Sequence, residues 1–312
     1  MSLSGVLIFF TFILRPDDII STVALAVLSI VALVYSSDAF VDEALPLSRK
    51  LKMSSGTMGK LILGTGAVLD EIAVVLNASF RHLGEISVGT IMGSNISTMV
   101  AVLPFLPLLF LGRKVSMKSG PVLIVVSSMI AIPLAFLQLI PHILFVPLFI
   151  LIFLVYLLKR GTENVGTPAK GGNYSFIAII LSIILLLISS NSLVIYTDRL
   201  TELSGLSEFS IGFIVTGVAG SLPELIMFVI SLRKVDRDAA MGVLVGSTIY
   251  KGAFLLAMAM LITNLDFASA GGSILFMAFL SFILLTLSLV KMKKYYAPLI
   301  FGAITILGLI LL

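Results

Sequence analysis

Two glutamates, Glu71 and Glu224, each lie within an apolar stretch long enough to cross a bilayer, and they are 153 positions apart. A charged side chain at the centre of a bilayer costs about 2.5–3.5 kcal/mol on insertion scales, so such residues mark substrate or ion pathways. Two of them at matching positions therefore predict an ion site between two related halves of the chain.

The residues around both glutamates repeat with the same spacing of 153. The first set is Gly59, Gly64, Gly89, Gly93, Ser94 and Ile96, and the second is Gly212, Gly217, Gly242, Gly246, Ser247 and Ile249. Glycines before each glutamate, together with Pro223, predict broken or unwound helices with carbonyls near Gly64 and Gly217 free to coordinate a cation. With Ser94 and Ser247, the glutamates form a hard oxygen ligand set that suits Ca²⁺ or Na⁺.

Two further charged residues decide which cation this set can hold. Lys251 lies one helical turn beyond Ser247. It either snorkels to an interface, or pairs with Glu71 or Glu224 as a tethered ammonium that loses its proton when a metal ion arrives. Both glutamates with Lys251 leave one negative charge, which suits a monovalent ion. Asp70 adds a second charge, but it faces the site only if its helix is distorted.

The composition predicts the elements that position these residues. Of the 312 residues, 59% are hydrophobic and 12% are charged, and the mean hydropathy is +1.19. Apolar runs of about 20 residues recur, which is typical of an all-α polytopic membrane protein. We expect ten transmembrane spans, near 19–37, 57–80, 86–112, 120–139, 142–158, 174–197, 208–232, 239–263, 270–290 and 295–312.

The loops predict the orientation of these spans. Residues 160–173 read as a cytoplasmic linker between two groups of five spans, 1–159 and 174–312, with 1–18 as a short N-terminal extension. Odd-numbered loops hold fifteen Lys and Arg residues and even-numbered loops hold two, so we expect odd loops in the cytoplasm and both termini outside. Five spans per half then makes the halves an inverted repeat, an arrangement typical of alternating-access transporters.

The stretch Gly220-Ser221-Leu222-Pro223-Glu224, followed 22 residues later by Gly246-Ser247, resembles the second α-repeat of the cation/Ca²⁺ exchanger superfamily. Residues 64–98 resemble the first repeat. The resemblance implies that Glu71 and Glu224 are the central Ca²⁺ ligands and that Ser94 and Ser247 line ion sites. It also matches Ser221 to a hydroxyl position.

The chain also departs from this pattern. The family typically has Thr-Ser where Ala67 and Val68 stand, Pro where Asp70 stands and Thr where Gly220 stands. Four residues beyond each Gly-Ser serine, sodium/calcium exchangers carry Asn or Asp, whereas this chain has Thr98 and Lys251. The lost hydroxyls argue against standard sodium coupling.

We therefore expect a secondary active antiporter that moves Ca²⁺ or a related cation against H⁺ or Na⁺. The predicted metal ligands are Glu71, Glu224, Ser94, Ser247, Ser221, Thr98, Gly64 and Gly217, and Lys251 and Asp70 modulate the charge. A monovalent Na⁺/H⁺ antiporter, and a non-transporting member locked by a Lys251–glutamate salt bridge, remain alternatives.

Further expectations concern cofactors, partners and location. The sequence has no cysteine, nucleophilic triad, phosphate-binding glycine loop or zinc motif, so we expect neither an enzyme nor a cofactor. Apart from the cation and the lipid bilayer, we expect no partner, nucleic acid included. We expect the protein to be a monomer in the cell membrane.

Overall fold

Apolar stretches in this chain form helices, since a helix satisfies its own backbone hydrogen bonds where no water is present. The computed structural model describes residues 16–50, 64–66, 68–112, 119–137, 141–158, 174–234 and 237–312. Within these ranges the chain is helical apart from short connections and one isolated β-bridge between Leu111 and Met292. The predicted all-helical membrane fold is therefore confirmed.

The first half of the chain contributes helices α1 to α5. They are α1 (Ile19–Lys50), α2 (Leu69–Phe80), α3 (Gly84–Val102), α4 (Gly120–Phe136) and α5 (Val146–Leu158). A helical turn at Gly64–Gly66 precedes α2. The predicted third span continued to residue 112, but α3 ends at Val102 and is followed by the 3₁₀ turn Leu103–Phe105 and the short helix Leu106–Leu109. Pro104 and Pro107 explain this ending, since proline has no amide hydrogen for an α-helix.

The second half contributes helices α6 to α10. They are α6 (Phe176–Ser204), α7 (Glu208–Ile211, the π-helix Gly212–Val218 and Ala219–Lys234), α8 (Arg237–Ile249, the π-helix Tyr250–Leu255 and Leu256–Ile262), α9 (Gly271–Leu289) and α10 (Tyr296–Leu311). In the described ranges, six helical segments are long and apolar enough to cross a membrane, and three shorter apolar helices accompany them. The predicted linker, most of the predicted N-terminal extension and the start of the second span lie outside the described residues.

Equivalent helices of the two halves run in opposite directions. At one end of the α1–α6 pair, the Arg199 guanidinium lies 3.4 Å from the Asp17 carboxylate. At the other end, the Ser175 amide donates a hydrogen bond of 2.5 Å to the Glu43 carboxylate. Likewise, the start of α3 at Gly84 lies against the carbonyl of Asn264, just beyond the end of α8. These contacts agree with the predicted inverted repeat.

One contact joins equivalent positions of the halves directly. Ser128 on α4 and Ser281 on α9 are 153 positions apart, and their hydroxyls are hydrogen-bonded at 2.9 Å. Two equivalent residues can touch in this way only where they lie next to the pseudo-two-fold axis that relates them. This pair therefore locates the axis between α4 and α9.

The buried apolar side chains form two clusters. The larger cluster is built mainly on α3, α4, α5, α8, α9 and α10. The smaller one joins α1 and α6 to parts of α2, α3 and α7, with Leu33 and Tyr196 among its most buried members. Just before α1 begins, the Asp18 carboxylate accepts the Ser21 amide hydrogen at 2.8 Å, and this bond lowers the pKa of Asp18.

Candidate functional site

The backbone before each glutamate departs from a regular α-helix, in a different way in each half. Before Glu71 the helical turn Gly64–Gly66 is separated from α2, which begins at Leu69. Before Glu224 the chain stays wound, as the π-helix Gly212–Val218 leading into an α-helix that contains Pro223. The predicted unwinding is therefore wrong for α7, because a π-helix absorbs the irregularity while keeping its backbone bonds. Such π segments are frequent at functional sites.

Glycines bring α3 and α7 unusually close together beside the glutamates. A Cβ placed on Gly217 would lie 2.8 Å from the Gly93 Cα and 3.0 Å from the Ser94 amide nitrogen. A Cβ on Gly212 would lie 2.8 Å from the Ile86 carbonyl oxygen. Only glycine fits at such backbone contacts. The structure thus gives Gly217 a packing role, and its carbonyl as a cation ligand stays a prediction, as does that of Gly64.

Lys251 lies at the centre of the site, paired with a glutamate. Its side chain is 0% exposed, and its ammonium lies 2.6 Å from Oε2 of Glu224 and 4.0 Å from Oε1 of Glu71. Lys251 belongs to the second π-helix, Tyr250–Leu255, in α8. Of the two hypotheses for this residue, the structure supports the tethered ammonium and contradicts snorkelling.

Two hydroxyls complete the network around this ion pair. The Ser94 hydroxyl donates to Glu71 Oε1 at 2.9 Å and accepts from the Lys251 ammonium at 2.8 Å. The Thr98 hydroxyl donates to Glu224 Oε2 at 2.8 Å. The network therefore links both glutamates through α3 and α8, and it is built from predicted site residues.

Each glutamate keeps one carboxylate oxygen free of hydrogen bonds. Oε2 of Glu71 and Oε1 of Glu224 are buried and have no partner among the described residues. A buried acceptor without a partner is costly, and more so on a charged group. These two oxygens are therefore the atoms at which a cation or a proton would be stabilised.

The remaining predicted ligands lie near the network but bond to their own helices. The Ser221 hydroxyl donates to the Val218 carbonyl at 2.7 Å, and the Ser247 hydroxyl donates to the Leu244 carbonyl at 3.2 Å. These bonds use the hydroxyl hydrogens, so only the oxygen lone pairs remain for a ligand. Asp70 is also buried, and its side chain interacts with that of Glu71.

The acidic side chains do not form a ready-made metal cage. Over the ranges that the structure describes, no three His, Cys, Asp or Glu side chains converge closely enough to hold a metal ion. The Lys251 ammonium instead holds the position between Glu71 and Glu224. A metal ion could bind both glutamates only after this ammonium moves away or loses its proton.

The sequence did not predict two neighbours of the network, Ser127 and Asn95, which lie beside Gly252 of α8. The Ser127 hydroxyl on α4 donates to the Gly252 carbonyl at 2.7 Å, directly after Lys251. Asn95 is buried, and its Oδ1 has no partner among the described residues. The repeat offers a signal for Asn95, since it and Thr248 follow the two Gly-Ser pairs. No such signal exists for Ser127 or for the π-helices.

Comparisons with known proteins agree with this architecture. The inner membrane protein YrbG of Escherichia coli (strain K12) is 27% identical over 259 residues, which cover 77% of this chain and 79% of that protein. The solved structure of native YfkE has a TM-score of 0.70 at 16% identity, covering 98% of this chain and 96% of that one. That of the H⁺/Ca²⁺ exchanger CAX has a TM-score of 0.68 at 19% identity, covering 99% and 85%.

The family assignment rests on nearly the whole chain. The sequence model of the sodium/calcium exchanger protein family matches residues 21–161 and 174–312, which include both glutamates, both Gly-Ser pairs and Lys251. The chain therefore belongs to the sodium/calcium exchanger protein family.

Proposed function

We propose that this protein is a secondary active antiporter that exchanges Ca²⁺ for protons, and that Lys251 carries the exchanged proton. The observation that supports it most directly is the position of the Lys251 ammonium, 2.6 Å from Glu224 and 4.0 Å from Glu71. In this structure the ammonium takes the place that a bound cation would have. Cation binding and the loss of the lysine proton are then two sides of one exchange.

Charge balance gives the reason for this coupling. With Lys251 protonated, Glu71 and Glu224 leave one net negative charge in the buried network. Two like-charged cations in one buried site repel strongly, because the effective dielectric constant there is low. Ca²⁺ therefore favours the neutral amine, and the amine becomes a poor competitor for Glu224. When Ca²⁺ leaves, a proton restores the ammonium and the pair.

The oxygens around the pair support Ca²⁺ as the substrate. Oε2 of Glu71 and Oε1 of Glu224 are free acceptors, and Thr98 and Ser94 add hydroxyl oxygens close to them. Calcium takes six to eight oxygen ligands and tolerates irregular geometry. Asp70, buried next to Glu71, supplies further negative charge for a divalent ion.

Protons are preferred to Na⁺ as the counter-ion because of what the chain lacks. Before the first glutamate, Ala67 and Val68 stand where the family typically has hydroxyl residues. Lys251 stands where sodium/calcium exchangers carry Asn or Asp. These substitutions remove oxygens that a sodium ion would need. The ammonium adds a group that can exchange a proton.

Flux measurements in proteoliposomes test the proposal. Vesicles with an acidic interior and no Na⁺ should take up Ca²⁺ and release protons, and vesicles containing the E224Q variant should do neither. If Ca²⁺ uptake requires a Na⁺ gradient, the counter-ion is Na⁺ and not the proton. If no cation moves under either gradient, the protein is not a transporter.

One observation favours a second candidate. The Lys251 ammonium contacts Glu224 and Ser94 with Glu71 nearby, an arrangement that would lock the site if the ammonium never left it. A locked member would bind no Ca²⁺ and would serve another role in the membrane. A monovalent Na⁺/H⁺ antiporter would instead show Na⁺ uptake with proton release and no Ca²⁺ uptake.

We further propose that the protein acts as a monomer in the cell membrane with both termini outside. The excess of Lys and Arg in the odd-numbered loops supports this orientation. Attaching a reporter that is active only in the cytoplasm to either terminus should give no signal. A signal from both termini would show that the protein has the opposite orientation.

A further inference from the structure

A small cavity lies between α3, α4, α8 and α9, apart from the glutamate pair. Its volume is about 20 Å³, and its polar lining consists of Asn95, Ser127, Ser128 and Thr248. Two pairs of lining residues are equivalent in the repeat, namely Asn95 with Thr248 and Ile124 with Met277. The cavity therefore lies at the pseudo-two-fold axis, like the bond between Ser128 and Ser281.

The polar groups at this cavity are mostly acceptors. The Thr248 hydroxyl donates its hydrogen to the Leu244 carbonyl at 2.7 Å, and the Ser127 hydroxyl donates its hydrogen to the Gly252 carbonyl at 2.7 Å. Their oxygen lone pairs remain. Oδ1 of Asn95, which is 1% exposed as a residue, has no partner among the described residues. A ligand here must donate hydrogen bonds or carry a positive charge.

We infer that the cavity is a binding site for one water molecule, which donates to Oδ1 of Asn95 and to the hydroxyl oxygen of Thr248. A cavity of about 10–15 Å³ is large enough for one water molecule, which also needs two to four polar partners. This cavity meets both conditions. A metal ion fits less well, because no carboxylate lines the cavity.

The position of the water gives it a role in the whole molecule. Asn95 lies on α3, Ser127 on α4 and Thr248 on α8, so the water joins helices of both halves. Ser127 is also bonded to Gly252, inside the π-helix that carries Lys251. The water therefore lies beside this π-helix, at Gly252.

Infrared difference spectroscopy of the purified protein in membranes tests the site without any transport measurement. Comparison of samples in H₂¹⁶O and H₂¹⁸O should show a narrow water O–H stretching band that shifts with the isotope. The variant T248V should lose or shift this band, and so should N95L. The matched control is T197V, since Thr197 makes the same type of buried bond, to Leu193 at 2.8 Å, far from the cavity. This control should keep the band.

Three results would overturn the inference. One is the lack of any narrow isotope-sensitive band in the unmodified protein. Another is a band that T248V and N95L leave unchanged; if N95L does not fold, the nearly isosteric T248V decides. The third is a melting temperature that rises with NaCl but not with choline chloride, with the rise lost in T248V, which would identify the ligand as Na⁺. None of these results depends on whether the protein exchanges Ca²⁺ for protons.

Discussion

At the scale of single residues, the glutamates of the two halves have different hydrogen-bond partners. Thr98 and Lys251 occupy equivalent positions, and both bond to Oε2 of Glu224. Ser94 bonds to Glu71, whereas its equivalent Ser247 bonds to its own helix. The long lysine side chain reaches Glu224 directly and holds the place that a cation would share. Lys251 opposite Thr98 is thus one source of the asymmetry of the site, and Asp70, whose equivalent is Pro223, is another.

Replacing Glu224 by glutamine should abolish transport. The amide keeps the shape of the side chain but removes the charge that holds Lys251 or a cation. The measurement is Ca²⁺ flux in proteoliposomes, with E202Q as control because Glu202 is exposed and pairs only with Arg199. Full flux in E224Q would remove this residue from the ion site.

Replacing Lys251 by methionine should destabilise the protein by about 3–5 kcal/mol, since Glu224 is left as a buried unpaired charge. Ca²⁺ should then raise the melting temperature of K251M more than that of the unmodified protein. The double variant K251M/E224Q should recover most of the lost stability, because it has no unpaired charge. If K251M is as stable as the parent, the pair has little energetic importance.

Apparent Ca²⁺ affinity should rise with pH if the Lys251 proton competes with Ca²⁺. If Ca²⁺ binding releases this proton, a higher proton concentration opposes binding by mass action. The measurement is Ca²⁺ uptake at several pH values. A weaker pH dependence in K251D, together with higher cation affinity or Na⁺ dependence, would agree with this. Unchanged Ca²⁺ and Na⁺ binding in K251D would place the lysine outside the pathway.

At the scale of elements, close helix crossings and π-helices set the site geometry. Gly93 of α3 lies against the backbone of Phe213 in the first π-helix, next to Ser94 of the network. Lys251 lies in the second π-helix, one residue before Gly252. Each π-helix shifts the register of the helix beyond it, so the direction of Glu224 and Lys251 depends on it.

The variant G93A should be less stable and should transport poorly. Its Cβ would lie 3.0 Å or less from backbone atoms of Phe213, so α3 and α7 must separate. The control is G302A in α10, where nothing lies within 4 Å of the added Cβ. G302A should be neutral or slightly stabilising, because alanine is the better helix former. Melting temperatures and flux of both variants check this; equal behaviour would mean that the crossing tolerates a methyl group.

At the scale of the whole molecule, the repeat produces both the ion site and the axis. Equivalent helices α1 and α6 pack against each other in a cluster distinct from the main core. The other helices form the larger cluster around the bond between Ser128 and Ser281. This division suits a pair of helices that moves against a static scaffold, as alternating access requires.

Removing the contact at the axis should reveal coupling between the halves. S128A and S281A each remove one partner of a buried hydrogen bond, which is worth about 1 kcal/mol. The double variant should cost less than the two single variants together, because the second substitution has no bond left to break. Pairing S29A with S281A provides the control, since Ser29 bonds only within α1 at 2.9 Å. Additive losses in the Ser128 and Ser281 cycle would contradict the direct link.

The sequence by itself determined the helices, the repeat and the two glutamates, because apolar length, glycine spacing and a charge in an apolar run are properties of neighbouring residues. It left Lys251 open between an interface and a pairing with Glu71 or Glu224. Only the tertiary structure decided this, since the ammonium meets Glu224 and Ser94 across three different helices. The π-helices and the cavity at Asn95 likewise depend on how distant segments pack, and no local pattern records that packing.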